Sequence, residues 1–263
     1  MRLVTWNVNS VRLRLDQLQA IIDHLRPDVF CLQETKVVDE LFPQEAFKAL
    51  GFEHVAFKGM KSYNGVAILS KRPLSNVYTQ EFCGKEDCRH LAATVDGIEV
   101  HNLYIPAGGD VPDAELNPKF AHKLAFIDHV GEWFASHDPA KPMVALGDFN
   151  IAPLETDVWS HKKMLKVISH TPAEVARLAQ MQASLGWIDG VRRFIPPSQH
   201  LYSWWSYRSP DWATADRGRR LDHIWVTPPL ESRLGEAKVM KETRSNTPPS
   251  DHVPVLLELK DQP

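Results

Sequence analysis

Four short segments hold carboxylates, amides and an imidazole beside apolar runs long enough to be strands. In Trp6–Asn7–Val8–Asn9 two asparagines stand two residues apart. Extended backbone would turn both side chains to one side. Gly147–Asp148–Phe149–Asn150 repeats the spacing with a carboxylate and an amide, Glu34 follows the run from Val29 to Gln33, and Asp251–His252 follows Pro248–Pro249–Ser250. Each fragment has a bland alternative, because Asn and Asp after a strand form turns. The set has a chemistry. Oxygen donors from Asp, Glu and Asn suit a hard divalent cation, Mg²⁺ or Mn²⁺. They converge only if the strand ends share one edge, where α/β sheets place their sites.

Asp222 sharpens this. In Leu221–Asp222–His223–Ile224–Trp225–Val226, strand alternation puts Asp222 on the face of Ile224 and Val226. A carboxylate on a core face needs a partner. His252 is one candidate, with Asp222 holding its imidazole in one tautomer and favouring the charged form. Arg220 and backbone N–H groups are the others.

Between residues 192 and 220 six arginines stand against two aspartates, amid Phe194, Tyr202, Trp204, Trp205, Tyr207 and Trp212. Arginine interleaved with aromatics is what a phosphate-tracking, base-contacting surface needs. A solvated loop beside an aromatic core cluster gives the same composition.

The elements that must position these groups alternate along the chain. Leu3 to Val8 reads as a strand. Val11, Leu15, Leu18, Ile22 and Leu25 form one stripe of an amphipathic helix stopped by Pro27. Strands follow at Asp28 to Leu32 and, after the Asn64–Gly65 turn, at Val66 to Ser70. Asp96–Gly97 joins 91–95 and 98–105 as a hairpin. Asn117–Pro118 opens a helix striped by Phe120, Leu124, Ile127 and Phe134. Pro142 to Leu146 is a strand ending at Gly147. Thr171–Pro172–Ala173–Glu174 is a capping box, and its helix ends at Gly186. Leu221 to Val226 and Val253 to Leu259 are late strands. Strands bunched between helices favour two packed sheets over one alternating parallel sheet. No repeat or linker interrupts the 263 residues, so one α/β domain over 1–263 is expected.

Composition excludes other classes. At 43% hydrophobic and 24% charged, the chain is neither collagenous nor disordered. It has no apolar run of about 18 residues for a membrane span and no apolar signal core after MRLVTWNVNS. A cytoplasmic protein with three reduced cysteines, Cys31, Cys83 and Cys88, is expected.

The segments TWNVNSVR, LQETK, NGVAILSK, NLYIPAG, LGDFNIAP, SWWSYR, RGRRLDHIW and PSDHVPV occur in this order. In order and spacing the chain resembles the exonuclease III family of apurinic/apyrimidinic (AP) endonucleases, within the exonuclease–endonuclease–phosphatase superfamily. The resemblance covers essentially the whole chain. It implies a DNase I-like four-layer α/β sandwich, with two mixed sheets flanked by helices. It also implies divalent-metal hydrolysis of DNA phosphodiesters: cleavage 5′ to abasic sites and removal of 3′ nucleotides or blocking groups, leaving 3′-OH ends.

The resemblance also implies roles for particular residues. Glu34 is similar to the main Mg²⁺ carboxylate, with Mn²⁺ an alternative ion, and Asn7 and Asp251 support the metal. Asp148 matches the base that deprotonates water, and Asn150 its amide neighbour. These two and His252 belong to the same metal-site set, which one or two ions would occupy. His252, oriented by Asp222, would bond a phosphate oxygen, and Tyr104 would stand at the leaving side. Trp204 and Leu221 match positions lining the pocket for an extruded abasic sugar, which flips cheaply for want of stacking. Tyr63, Arg208 and Arg217 match DNA-backbone contacts. Asn9 departs from relatives with Asp there. Arg219 stands where vertebrate-type relatives have Trp, a change expected to alter selectivity between abasic sites and ordinary 3′ ends. The implied partner is duplex DNA with abasic sites or 3′ ends, bound by a monomer away from any membrane.

Two alternatives carry their own signatures. Another phosphodiesterase of the superfamily, acting on lipid or inositol phosphates, would not need SWWSYR or RGRRLDHIW. A catalytically inactive nucleic-acid-binding module would have lost a carboxylate or the Asp/His pair, and neither is lost here.

Overall fold

The computed structural model describes residues 1–261. Twelve strands and six α-helices are found there. The strands are β1 Arg2–Asn7, β2 Val29–Gln33, β3 His54–Lys58, β4 Val66–Ser70, β5 Ser75–Tyr78, β6 His90–Val95, β7 Ile98–Tyr104, β8 Met143–Asp148, β9 Ile188–Asp189, β10 Asp222–Val226, β11 Leu234–Val239 and β12 Val255–Leu259. The helices are α1 Leu15–Leu25, α2 Gln44–Ala49, α3 Pro118–Ala135, α4 His161–Met164, α5 Pro172–Ala183 and α6 Trp212–Ala215.

The strands form two six-stranded sheets, ordered β11-β12-β1-β2-β4-β3 and β5-β6-β7-β8-β10-β9. Alternation along each strand explains the layering. Leu3, Val29, Cys31, Val144, Leu146, Ile224 and Val226 meet in one cluster between the sheets. Their neighbours face outward. Val4, Trp6, Phe30 and Leu32 pack under α1 and α2, while Ala145 and Trp225 pack under α3 and α5. Strands covered on both faces read as continuous apolar runs. The result is helix, sheet, sheet, helix.

Local chemistry sets the ends of these elements. Asp96 and Gly97 both have positive φ, as a two-residue hairpin requires. Asn117 caps α3 by accepting from Lys119 N, and Thr171 with Glu174 forms a reciprocal capping box on α5. At Gly147, φ is 134° and a Cβ would collide with the Leu103 carbonyl of β7, so only glycine fits the residue before Asp148.

A polar staple joins the sheets. Asn102 of β7 donates to the carbonyls of Leu32 and Ala67, each at 2.9 Å, and accepts from Gln33 Nε2 at 2.7 Å. Among the described residues no helix is long and apolar enough to cross a membrane, and all three cysteines are free.

Candidate active site

The sheets bring their chemistry to one edge. β1 and β2 run parallel, as do β7 and β8, and both pairs end at this edge. Antiparallel β10 begins there, with Asp222 opposite Asp148 in the ladder. Asn7 shares the parity of Leu3, Asp148 that of Leu146, and Asp222 that of Ile224, so all three face the space between the sheets. Tyr104 is the ladder partner of Asp148 on its other side.

Asp148 is the hub. Its Oδ2 accepts from Asn7 Nδ2 at 2.9 Å and Asn150 Nδ2 at 3.1 Å, and its Oδ1 from Asn150 N at 2.9 Å. Asn7 Nδ2 also donates to Glu34 Oε2 at 2.9 Å, and the Tyr104 hydroxyl donates to the same oxygen at 3.0 Å. His252 Nδ1 lies 2.8 Å from Asp222 Oδ2, and its Nε2 lies 3.5 Å from Asp148 Oδ2. Asp251 accepts from Trp204 Nε1 at 2.9 Å and from Asn9 Nδ2 at 3.3 Å.

The partner of Asp222 is His252. Arg220 instead turns to Asp189, at 2.7 Å, and to Asp157. Backbone alternation does not deliver Asn9 and Asn150, because β1 ends at Asn7 and β8 at Asp148. Asn9 (φ 43°), Glu34 (φ 58°) and Asn150 (φ 53°) are all left-handed, which is unusual for a residue like glutamate and typical of strained functional sites.

Burial tunes these groups. Desolvation pushes the Asp148 carboxyl up to about 7, although His252 favours its ionised form. Burial disfavours the His252 imidazolium, yet Asp222, and then Asp148, overrule it and hold the ring's pKa at about 10. Burial, reinforced by Glu34 and Asp148, holds the Tyr104 phenol well above its ordinary value.

The donors fit a hard cation. Glu34, Asp148 and Asp251 line one cleft of about 490 Å³ with Asn150 and His252. A cationic group already sits among these oxygens: Lys36 Nζ lies 2.7 Å from Glu34 Oε1 and 2.6 Å from Asn9 Oδ1. Asp148, Asp222 and His252 also lie close enough to share an ion. His252 Nδ1 is engaged by Asp222, however, so the oxygens of Glu34 and Asp251 are the better donors.

The DNA-contact candidates divide. Trp204, Arg208, Arg219 and Leu221 line the same cleft. Tyr63 is 69% exposed on the loop before β4, and exposed Arg217 stacks 5.1 Å from the Trp159 ring; neither lines it. The basic aromatic window is partly interior. Trp205 is buried, Arg192 pairs with Asp157 at 2.5 Å, and Arg220 is buried against Asp189, so part of its positive surplus is neutralised inside the fold.

Three residues escaped the sequence reading. Lys36 holds Glu34 from two positions away. Arg89 lies over the Tyr104 ring at 4.8 Å and donates to the Tyr104 carbonyl. Lys123 is fully buried 2.5 Å from Glu174 and donates to the Asn150 carbonyl at 2.8 Å. Its place three residues after Phe120 in the helix stripe was the available signal.

Comparison with known proteins agrees with the fold. The model of the endonuclease/exonuclease/phosphatase family matches residues 4–252. Exodeoxyribonuclease III of Haemophilus influenzae is 32% identical, covering 99% of this chain and 100% of that protein. An AP endonuclease structure from Archaeoglobus fulgidus superposes with a TM-score of 0.92 at 30% identity, covering 99% of this chain and 100% of that one. A 3′ phosphatase from Neisseria, solved with a product DNA hairpin, gives 0.91 at 33% identity, with the same coverage.

Proposed function

We propose, starting from the fact that this chain belongs to the endonuclease/exonuclease/phosphatase family and to its exonuclease III branch, that it is a DNA repair nuclease hydrolysing phosphodiesters 5′ to abasic sites and at blocked or ordinary 3′ ends. One observation carries this reading: a buried carboxylate, Asp148, shares one cleft with an Asp-backed imidazole and further carboxylates.

Asp148 takes the proton of the attacking water. A carboxyl poised at about 7 is matched to proton transfer near neutral pH. Asn150 holds that carboxylate with both its amide and its backbone N–H, so Asp148 is oriented before substrate arrives. His252, kept protonated by Asp222, presents Nε2–H to a phosphate oxygen and stabilises charge that grows in the transition state. Tyr104, held in place by Arg89 and Glu34, stands at the leaving side. Glu34, Asp251 and Asn7 would hold Mg²⁺, with Mn²⁺ as an alternative. Bound there, the ion supplies charge neutralisation at the phosphate. Trp204 and Leu221 form the apolar wall against which a base-free sugar rests.

The test is product analysis on three duplexes, with an internal abasic site, a recessed 3′ end and a 3′-phosphate, each with Mg²⁺ and with EDTA. Metal-dependent cleavage leaving 3′-OH ends is expected. Tight DNA binding without metal-dependent cleavage would overturn the reading in favour of a binding module.

A further inference from the structure

Arg219 is a charge without a counter-charge. It stands in the cleft wall beside Trp204, with its guanidinium 4.8 Å from the indole ring. Its Nη1 donates to Ser169 Oγ at 3.0 Å and to the Ile168 carbonyl at 3.3 Å, both neutral, and its buried Nε has no hydrogen-bond partner. The acid that acts on it, Glu174, is already bonded to buried Lys123 and to the amides of Ser169 and Thr171. Two cations thus face one carboxylate at this end of the cleft. Burial without a close anion lowers the guanidinium to about 10.

The position is tied to the reacting centre by backbone. Arg219 pairs with Trp204, and Trp204 pairs with His252. Arg219 is therefore two chain spacings, on the order of 10 Å, from the imidazole's backbone. The wall that should receive a neutral, base-free sugar carries a partly desolvated guanidinium. A neutral sugar there offers the cation at most a neutral hydrogen-bond acceptor and no counter-charge. An anionic terminus gives a charge-assisted pair, and guanidinium matches phosphate oxygens well.

We propose that Arg219 is a specificity-determining residue that turns this cleft toward DNA 3′ ends closed by a phosphomonoester, in preference to internal abasic sites. This rests on the nuclease reading above. At an internal site the scissile phosphate is esterified on both sides. At a 3′-phosphate its terminal oxygens are free to meet the cleft wall. The reaction is hydrolysis: water oxygen bonds to phosphorus as Asp148 takes one water proton, the bond to the 3′ oxygen breaks, that oxygen takes a proton from solvent to become the 3′ hydroxyl, Asp148 returns its proton to solvent, and inorganic phosphate departs.

The experiment compares wild type, Arg219→Leu and Arg219→Lys on a 3′-phosphate duplex and on an internal abasic duplex. Thermal melting confirms that each variant folds. Wild type should favour the 3′-phosphate. In Arg219→Leu the ratio of kcat/KM values should fall by about 10- to 100-fold, the worth of one charged hydrogen bond, with Arg219→Lys between. A ratio within about twofold of wild type in Arg219→Leu would overturn the proposal. Fluorescence anisotropy in EDTA, with hairpins ending in 3′-phosphate or 3′-OH, separates the two readings. Inactivity of wild type on every duplex refutes the nuclease. Equal affinity of wild type for both hairpins refutes the role of Arg219, whatever the catalysis.

Discussion

Asp222→Asn isolates the charge that holds His252 protonated. The ring lies 2.8 Å from Asp222 through Nδ1 and 3.5 Å from Asp148 through Nε2. At an effective dielectric of about 20, each attraction is on the order of 5 kcal/mol, and burial works against both. Asparagine keeps an acceptor for Nδ1 and removes the charge. If relaxation leaves a third of that attraction as the net loss, the imidazolium drops by about one unit; the full loss gives nearly four, about the whole distance to the ordinary value. The midpoint should therefore move from about 10 toward the ordinary 6.5. The ring's Cε1–H resonance, assigned with His252→Gln, reads this in metal-free protein. The alkaline limb of kcat should shift with it, because a neutral ring bonded through Nδ1–H has no Nε2 proton to offer. A midpoint within about 0.3 unit of wild type would refute the pairing as the cause.

Other outcomes follow from the same contacts. Asp148→Asn should cut kcat by about 10²- to 10⁴-fold with DNA affinity near wild type, read by single-turnover kinetics and anisotropy; a large affinity loss with normal saturated turnover would contradict the base assignment. Glu34→Gln should raise the Mg²⁺ concentration at half-maximal activity by about tenfold or more, and an unchanged titration would remove Glu34 from the metal site. Lys123→Met should cost about 3–5 kcal/mol in urea unfolding by removing the buried counter-charge of Glu174, and a loss below about 1 kcal/mol would be inconsistent with a buried pair. Folding raises the pKa of His252, so its contribution to stability is complete below 6.5 and lost as pH rises toward about 10. The raised Asp148 pKa acts in the same direction between 3.8 and about 7. The urea midpoint of the metal-free protein should fall from pH 7 to pH 9, where buried His90, His101 and His223 are neutral in both states, and less steeply in His252→Gln; a rising midpoint, or equal slopes, would refute this.

What the sequence disclosed was local or periodic. The Asp96–Gly97 turn, the Asn117 cap and the Thr171–Glu174 box are written in adjacent residues. The face of Asp222 follows from counting by twos from Ile224. The left-handed turns at Asn9, Glu34 and Asn150 were not legible, because partners far along the chain impose them: Asn9 reaches Asp251, and Glu34 reaches Tyr104. Arg192 and Arg220 read as surface charge and lie inside, because Asp157 and Asp189 meet them only in the folded chain.

The Asn102 staple has a consequence for assembly. Asn7 and Glu34 arrive on one sheet, Asp148 and Asp222 on the other. Neither half alone holds a base, its imidazole and a cation's ligands together. The amide that crosses between Leu32 and Ala67 sets the gap separating those halves. A folding species with one sheet formed would thus be inert toward DNA, and hydrolysis can begin only after the two sheets have locked.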